Sequence, residues 1–360
     1  MTALRREWPG AAEIMVTVDG ESVRALAYPA LVGSPRVGDR VLLNTTALDR
    51  ELGTGGYAFV VALPDRLPDD PPRAGPAAPG SQAGHIVKSR YTPLQAMVAG
   101  VDEQGSPYHE LLREAGSVEG MPVVVADLHS ALPAILAGLF ASFRTAAASM
   151  PRVCYVMQDG GALPAWFSRT VAGLRAAGWL AATVTTGQSF GGDLEAVTVH
   201  TGLLAARHVA GADVAVVTQG PGNLGTGTRW GFSGVAAGEA VNAVAALDGR
   251  PVASLRLSDA DQRPRHQGVS HHSLTAYGQV ALAACDVVVP VLPEPLASRV
   301  AADVAPLAMR HRLVTVPVDG LDSALRESPV PLSTMGRGLD SDLAYFLAAA
   351  AAGRHAAGLC

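Results

Sequence analysis

MPVVVADLHSALPAILAGLFASF, residues 121–143, decides the fold class. An unbroken apolar run of strand length comes first. A short polar stretch, DLHS, follows, and then an apolar stretch of helix length that stops at Arg144. A strand without alternation is buried on both faces, and a helix directly after it returns the chain to a parallel neighbour. The same order recurs downstream. RVCYVM (152–157) leads to PAWFSRTVAGLRAAG (164–178), and WLAATVT (179–185) to LEAVTVHTGLLAARHV (194–209). ADVAVVT (212–218) leads to GVAAGEAVNAVAALDG (234–249), and RPVASLRL (250–257) to LTAYGQVALAAC (274–285). DVVVPVL (286–292) and HRLVTVPV (311–318) add two more strands. The expected fold is α/β, three layers around a mostly parallel sheet.

Upstream the grammar differs. AEIMVTVDG, ESVRALAY, DRVLLNTTA and YAFVVAL are short runs separated by turn residues, with little helical periodicity. Residues 1–63 therefore predict a small β module, barrel-like or a sandwich. Residues 64–84, PDRLPDDPPRAGPAAPGSQAG, are dense in Pro, Gly and Ala and read as a linker. The α/β domain then occupies 85–360, with HIVKSRYTPLQAMVAGV (85–101) as its expected first strand. The Ala-rich tail DLAYFLAAAAAGRHAAGL (342–359) predicts a helix, packed on the sheet or serving as a contact in a homo-oligomer.

Composition narrows the function. The 360-residue chain is 49% hydrophobic and 16% charged, with a formal net charge of −5. A general nucleic-acid binder would carry a basic excess, so no nucleic-acid partner is expected. No apolar run has the length of a membrane span, and the N-terminus lacks an apolar signal core. Cys154, Cys285 and Cys360 are too few and too scattered for a disulfide framework or a zinc knuckle. A cytoplasmic protein with no membrane partner is expected.

Polar and glycine residues collect in the turns after the strands: DLHS (127–130), QDGGALP (158–164), TGQSFGGD (186–193), 218–234 and 258–273. Turns after the helices are short and plain. In open α/β sheets ligands bind outside the carboxyl ends of the strands, so these loops mark the candidate site. GPGNLGTGTRWG places Gly220, Gly222, Gly225, Gly227 and Gly231 close together, with Asn223 and Thr226 between them. Such a loop before a helix suits a phosphate or carboxylate. It matches neither a P-loop nor a dinucleotide fingerprint.

DADQRPRHQGVSHHS gathers acids, arginines and histidines. Arg263 and Arg265 could clamp an anion. His266, His271 or His272 could move protons or bind a metal, and Ser270, or Ser273 in its place, is a candidate helix cap. Asp127 and His129, a D-x-H at a strand end, could hold a divalent metal, with Asp159 or Asp193 as a further ligand. The plainer alternative makes Asp127 a cap and His129 a packing residue. No GxSxG elbow is present, and no cysteine lies in an electropositive turn. His200 and His208 read as helix-face residues.

Lys88, in HIVKSRYTPLQ, is the only lysine among 27 basic residues. An extended strand would place Lys88, Arg90 and Thr92 on one face. Lys88 is then an anion binder, a base or amine nucleophile, or half of an interdomain salt bridge.

Together HIVKSRYTPLQ, YVMQDGGALPAWFS, GQSFGGDLEAV, GPGNLGTGTRWGF, RPRHQGVSHHSLT and TMGRG resemble a bacterial family, domain of unknown function 3866, over nearly the whole length. The resemblance implies that Lys88 belongs to a family motif and that the protein is bacterial and cytoplasmic. It transfers no residue roles. The leading expectation is an enzyme, a hydrolase or group transferase, acting on a small anionic metabolite, with a divalent metal as candidate cofactor. The alternative is a non-catalytic metabolite-binding or regulatory protein, and a third reading is a structural partner without a small ligand.

Overall fold

The computed structural model describes residues 1–52, 55–66 and 84–360. The alternating N-terminal runs form β1 (Ala3–Trp8), β2 (Ala11–Val18), β3 (Glu21–Ala27), β4 (Leu42–Asn44) and β5 (Ala58–Ala62). They make one mixed sheet in the order β1-β2-β3-β5-β4, with β3 and β5 parallel. β1 and β4 are its edges, so the barrel-like module stays an open sheet. The physical reason lies in what covers its apolar face. Phe190, Ala96 and Val98, with Leu163 and Trp166, pack on Ile14, Val16, Ala25 and Val60. The module shares a core with the α/β domain. Of the expected linker, residues 67–83 lie outside the described residues.

Residues 85–101 are not a strand of the large sheet. β6 (Ile86–Lys88) and β7 (Ala96–Val98) form an antiparallel hairpin. Ser89 and Tyr91 in its turn have φ of 49° and 62°. Left-handed residues break strand alternation, so the expected shared face of Lys88, Arg90 and Thr92 does not form. Gly100 bridges to Glu195 at the edge of the large sheet.

The apolar runs become β8 (Pro122–Val125), β9 (Val153–Gln158), β10 (Ala182–Thr185), β11 (Leu194–Glu195), β12 (Val214–Gln219) and β13 (Arg250–Ser254). A short antiparallel pair follows, β14 (Leu257–Ser258) and β15 (Gly268–Val269), then β16 (Asp286–Pro290) and β17 (Arg312–Val316). Eight strands pair in the order β11-β10-β9-β12-β8-β13-β16-β17, all parallel. Val123, Val124 and Val125, like Val214, Val216 and Val217, have no exposed surface, as double-sided burial requires. In LEAVTVHTGLLAARHV the first two residues are strand. The helix starts at Val199 because the Thr198 side chain accepts a bond from the Thr201 amide.

Helices Leu132–Thr145 and Leu343–Ala357 pack on each other and on the sheet. Their backbones nearly touch. A Cβ on Gly138 would sit 1.9 Å from the Ala350 carbonyl oxygen, and one on Gly353 1.9 Å from that of Ile135. The alanine-rich tail is thus an internal layer, with Ala348 to Ala352 buried. Helices Val199–His208 and Ala236–Ala246 pack together elsewhere. The chain leaves β9 and β11–β12 by crossovers of opposite direction, which right-handed connection puts on opposite faces of the sheet. Among the described residues, no helix is long and apolar enough to cross a membrane.

The strand order positions the site. From β8 the chain moves to β9, and from β13 it moves the other way to β16. β8 and β13 are direct neighbours. The crevice between their carboxyl ends is where an open parallel sheet admits a ligand.

Candidate functional site

Asp127 follows β8 and Arg256 follows β13, and both are buried, 3% and 5% exposed. Arg256 is held by its backbone. Its amide donates to Ser273 Oγ at 2.9 Å and its carbonyl accepts from Ser270 at 2.8 Å. Its Nη1 donates to His272 Nδ1 at 3.0 Å and lies 3.8 Å from Asp127 Oδ2. A guanidinium only donates, so His272 Nδ1 is the acceptor here and its ring proton sits on Nε2. His272 Nδ1 is 3.6 Å from Asp127 Oδ2.

The histidines come from one short segment. Ser270 caps helix His271–Thr275 by accepting from the His272 amide, and its Oγ also pairs with His266 Nδ1 at 2.7 Å. The ring of His272 stacks on Phe232, centroids 3.8 Å apart and planes 2° from parallel. His266, His271 and His272 each bring one ring nitrogen to within 4.8 Å of the others. Burial, reinforced by neighbouring positive charge, pushes His266 down to about 3 and His271 down to about 4. Both imidazoles are neutral near pH 7.

Two buried polar atoms at this crevice, Asp127 Oδ2 and His271 Nε2, have no hydrogen-bond partner among the described residues. A third, Gln219 Oε1, lies alongside, since the Gln219 amide donates to the Asp127 carbonyl at 2.6 Å and to Asn223 Oδ1 at 2.9 Å. Unsatisfied buried polar groups destabilise a fold by about 1–3 kcal/mol each, so their convergence needs a reason.

The glycine loop borders this crevice. Gly222 and Gly227 have φ of 91° and 81°, turns that side chains other than glycine resist. The loop is a hairpin closed on itself. Thr226 donates to the Gly231 carbonyl, Ser233 to that of Leu224, and Gly225 bridges Phe232. Part of its amide set is therefore internal, while Gly220 packs against the turn after β9, where Ala162 donates to the Pro221 carbonyl at 2.8 Å. Arg265 is exposed and approaches Gly227, its Nη2 3.9 Å from where a Cβ would stand. Its charge is one of those that depress His271.

Other expected site residues sit elsewhere. Arg263 does not face a ligand. It grips Asp261 through Nε and Nη2 at 2.9 and 2.7 Å, and Arg337 pairs with the same carboxylate at 3.2 Å. That network ties the loop down. His129 is turned into the core, with Nδ1 on Tyr155 Oη at 2.9 Å and Nε2 on Ser168 Oγ at 2.7 Å. Both nitrogens are engaged, so the D-x-H metal pair with Asp127 does not form. Asp193 accepts from the Thr183 amide and hydroxyl and pairs with Arg175. Asp159 accepts from the Gln188 amide at 2.9 Å and lines a separate cleft of about 400 Å³ with His85, Arg90 and Gln188.

Lys88 is fully buried. Nζ donates to the carbonyls of Gly187, Ser189 and Ala196 at 2.6, 2.9 and 3.3 Å and lies 3.6 Å from Glu195 Oε2. Its three protons are spent on backbone, leaving none for a substrate. A tetrahedral ammonium can serve three converging carbonyls, whereas a planar guanidinium cannot. The lone lysine is a clamp between the hairpin and the sheet edge. Cys285 lies 3.3 Å from His311 Nδ1, but burial pushes its thiol up to about 12, so it carries no thiolate at neutral pH.

Sequence reasoning missed Arg256, Gln219 and Phe232. Arg256 had a signal. It is the one charge inside the apolar run ASLRL, and a lone charge in a buried strand needs a partner.

The fold and this crevice define a three-layer α/β protein with a histidine–carboxylate–arginine cluster at the carboxyl ends of a parallel sheet. Residues 24–353 match the family described as Protein of unknown function (DUF3866), and the chain belongs to it. No curated protein and no solved structure matches the chain.

Proposed function

We propose that the crevice between β8 and β13 binds a small anionic metabolite and acts on it by hydrolysis or group transfer. One observation carries this reading. Asp127, Arg256 and the three histidines meet at the point where the sheet order reverses, with Asp127 Oδ2 and His271 Nε2 buried and unpartnered. Structural networks satisfy their members, while binding sites leave groups open for a ligand. Arg265 and the glycine loop supply the anion contacts. Arg265 forms no ion pair among the described residues, unlike Arg263, and stands beside both His271 and Gly227.

Thermal unfolding against nucleotides, sugar phosphates and carboxylates tests the proposal. A compound at a hundred times its dissociation constant stabilises by about 2.7 kcal/mol. Arg265→Ala should remove the shift and Arg263→Ala should keep it, allowing for a lower baseline. A ligand found this way is then assayed for turnover. Binding without turnover makes the protein a metabolite-binding one, and no shift with any compound removes the anion site.

A further inference from the structure

We propose that His266, His271 and His272 form a binding site for one divalent transition-metal ion of the zinc, cobalt or nickel class. The inference deepens the reading of the same crevice but does not depend on catalysis there.

The geometry carries it. Three imidazoles from one eight-residue stretch, RHQGVSHH, aim a nitrogen each into a common space no wider than 4.8 Å. A tetrahedral ion with metal–nitrogen bonds of about 2.0–2.1 Å needs its ligand atoms about 3.3 Å apart. Small side-chain rotations close that difference. The second observation is independent of the cluster's shape. His271 Nε2 is buried and has no partner, and Asp127 Oδ2 beside it is equally unpartnered. A buried imidazole nitrogen with nothing to bond is what an empty ligand position leaves behind.

Second contacts orient two of the rings, as metal-binding imidazoles require. Ser270 Oγ holds His266 Nδ1, and the parallel face of Phe232 lies against His272. His272 Nδ1 now accepts from Arg256, so His272 ligates through Nε2 only when its ring proton moves to Nδ1 and Asp127 Oδ2, 3.6 Å away, replaces Arg256 as the partner there. Imidazole donors suit zinc, copper, iron and nickel, whereas the oxygen-rich shells of calcium and magnesium are not present in this cluster.

Arg256, 3.0 Å from His272 Nδ1, and Arg265 near His271 oppose a cation, while Asp127 favours one. The nitrogen donors must outweigh that excess. His271 is partly exposed, and Arg265 is near enough for its charge to act on it. An ion there would explain why a crevice lined by neutral rings sits under an exposed arginine.

Cobalt(II) titration of the chelator-treated full chain tests this without any substrate. Wild type should bind one equivalent per chain and develop the visible absorption of a low-symmetry cobalt site. His271→Ala should weaken binding by about a hundredfold or more, beyond what outer-contact changes produce. His200→Ala, on an exposed helix position, should leave binding unchanged. His266→Gln is the second ligand variant, used if His271→Ala loses its far-ultraviolet dichroism in chelator. The inference is overturned if wild type binds cobalt no better than the ligand variants, or if binding follows His200. Repeating the ligand panel in chelator separates the two readings. Anion binding that persists while cobalt binding fails removes the metal and leaves the proposed function standing.

Discussion

Replacing Lys88 by Met should destabilise the protein by about 4 kcal/mol, within the range for breaking a buried ion pair. The structure sets that size. The change strands three backbone carbonyls at Gly187, Ser189 and Ala196 and leaves Glu195 without its cation. Each orphaned acceptor accounts for about 1–3 kcal/mol, but the losses overlap because the local backbone relaxes. The effect should depend on pH. Burial pushes the Glu195 carboxyl up to about 7, and the Lys88 charge is what opposes a further rise. Without Lys88 the folded-state value climbs higher. A carboxyl whose folded pKa exceeds its unfolded one binds more protons when folded, so stability falls as pH rises through that window. At pH 6 Glu195 is largely protonated in both proteins; by about pH 8.5 the wild type has already ionised it, while the variant, with the higher folded value, is still losing stability as pH rises. The destabilisation should therefore be larger at the higher pH by about 1–2 kcal/mol, one pKa unit being worth about 1.36 kcal/mol. Urea unfolding at both pH values, followed by tryptophan fluorescence, measures this. Lys88→Met/Glu195→Gln should be more stable than Lys88→Met alone, because no buried carboxylate remains. Lys88→Arg keeps the charge but presents a planar fork and should lose about 2 kcal/mol through imperfect fit. A loss below about 1 kcal/mol for Lys88→Met, the same at both pH values, would show that the clamp is not what holds the hairpin.

Two more outcomes follow from packing. Gly138→Ala should destabilise by about 1–3 kcal/mol, since its Cβ has no room against the Ala350 carbonyl oxygen, and a shift in thermal midpoint checks it. Phe190→Ala should cost about 3–5 kcal/mol and expose the face of the N-terminal sheet, read as faster protease cleavage within residues 1–62.

Much of the fold was legible because burial on both faces leaves a local trace. MPVVVA, ADVAVVT and DVVVPVL lack alternation, and each became a parallel strand. A serine cap was readable for the same reason, since a cap acts within a few residues of itself, and the structure chooses Ser270 over Ser273. Two stretches show the limit. HIVKSRYTPLQAMVAGV looks continuous, but Ser89 and Tyr91 adopt left-handed conformations that no side-chain pattern announces. DLHS left a metal pair and a packing histidine both open, and only Tyr155 and Ser168, arriving from other strands and turns, decide for packing by occupying both nitrogens of His129.

Sequence by itself determined the α/β class, seven of the eight parallel strands and the concentration of chemistry after the strands. These depend on periodicity and on residue type, both of which are local. Only the tertiary structure decided which charges are free. Arg263 and Arg265 are two residues apart and chemically identical, yet one is locked to Asp261 and the other stands over the crevice. Only it decided that DLHS meets SHHS, because the paired ends of β8 and β13, Val125 and Ala253, lie 128 residues apart in the chain (253 − 125) and are neighbours solely through sheet pairing. Strand order is set by long-range packing, and no spacing in one segment records which distant segment will lie beside it.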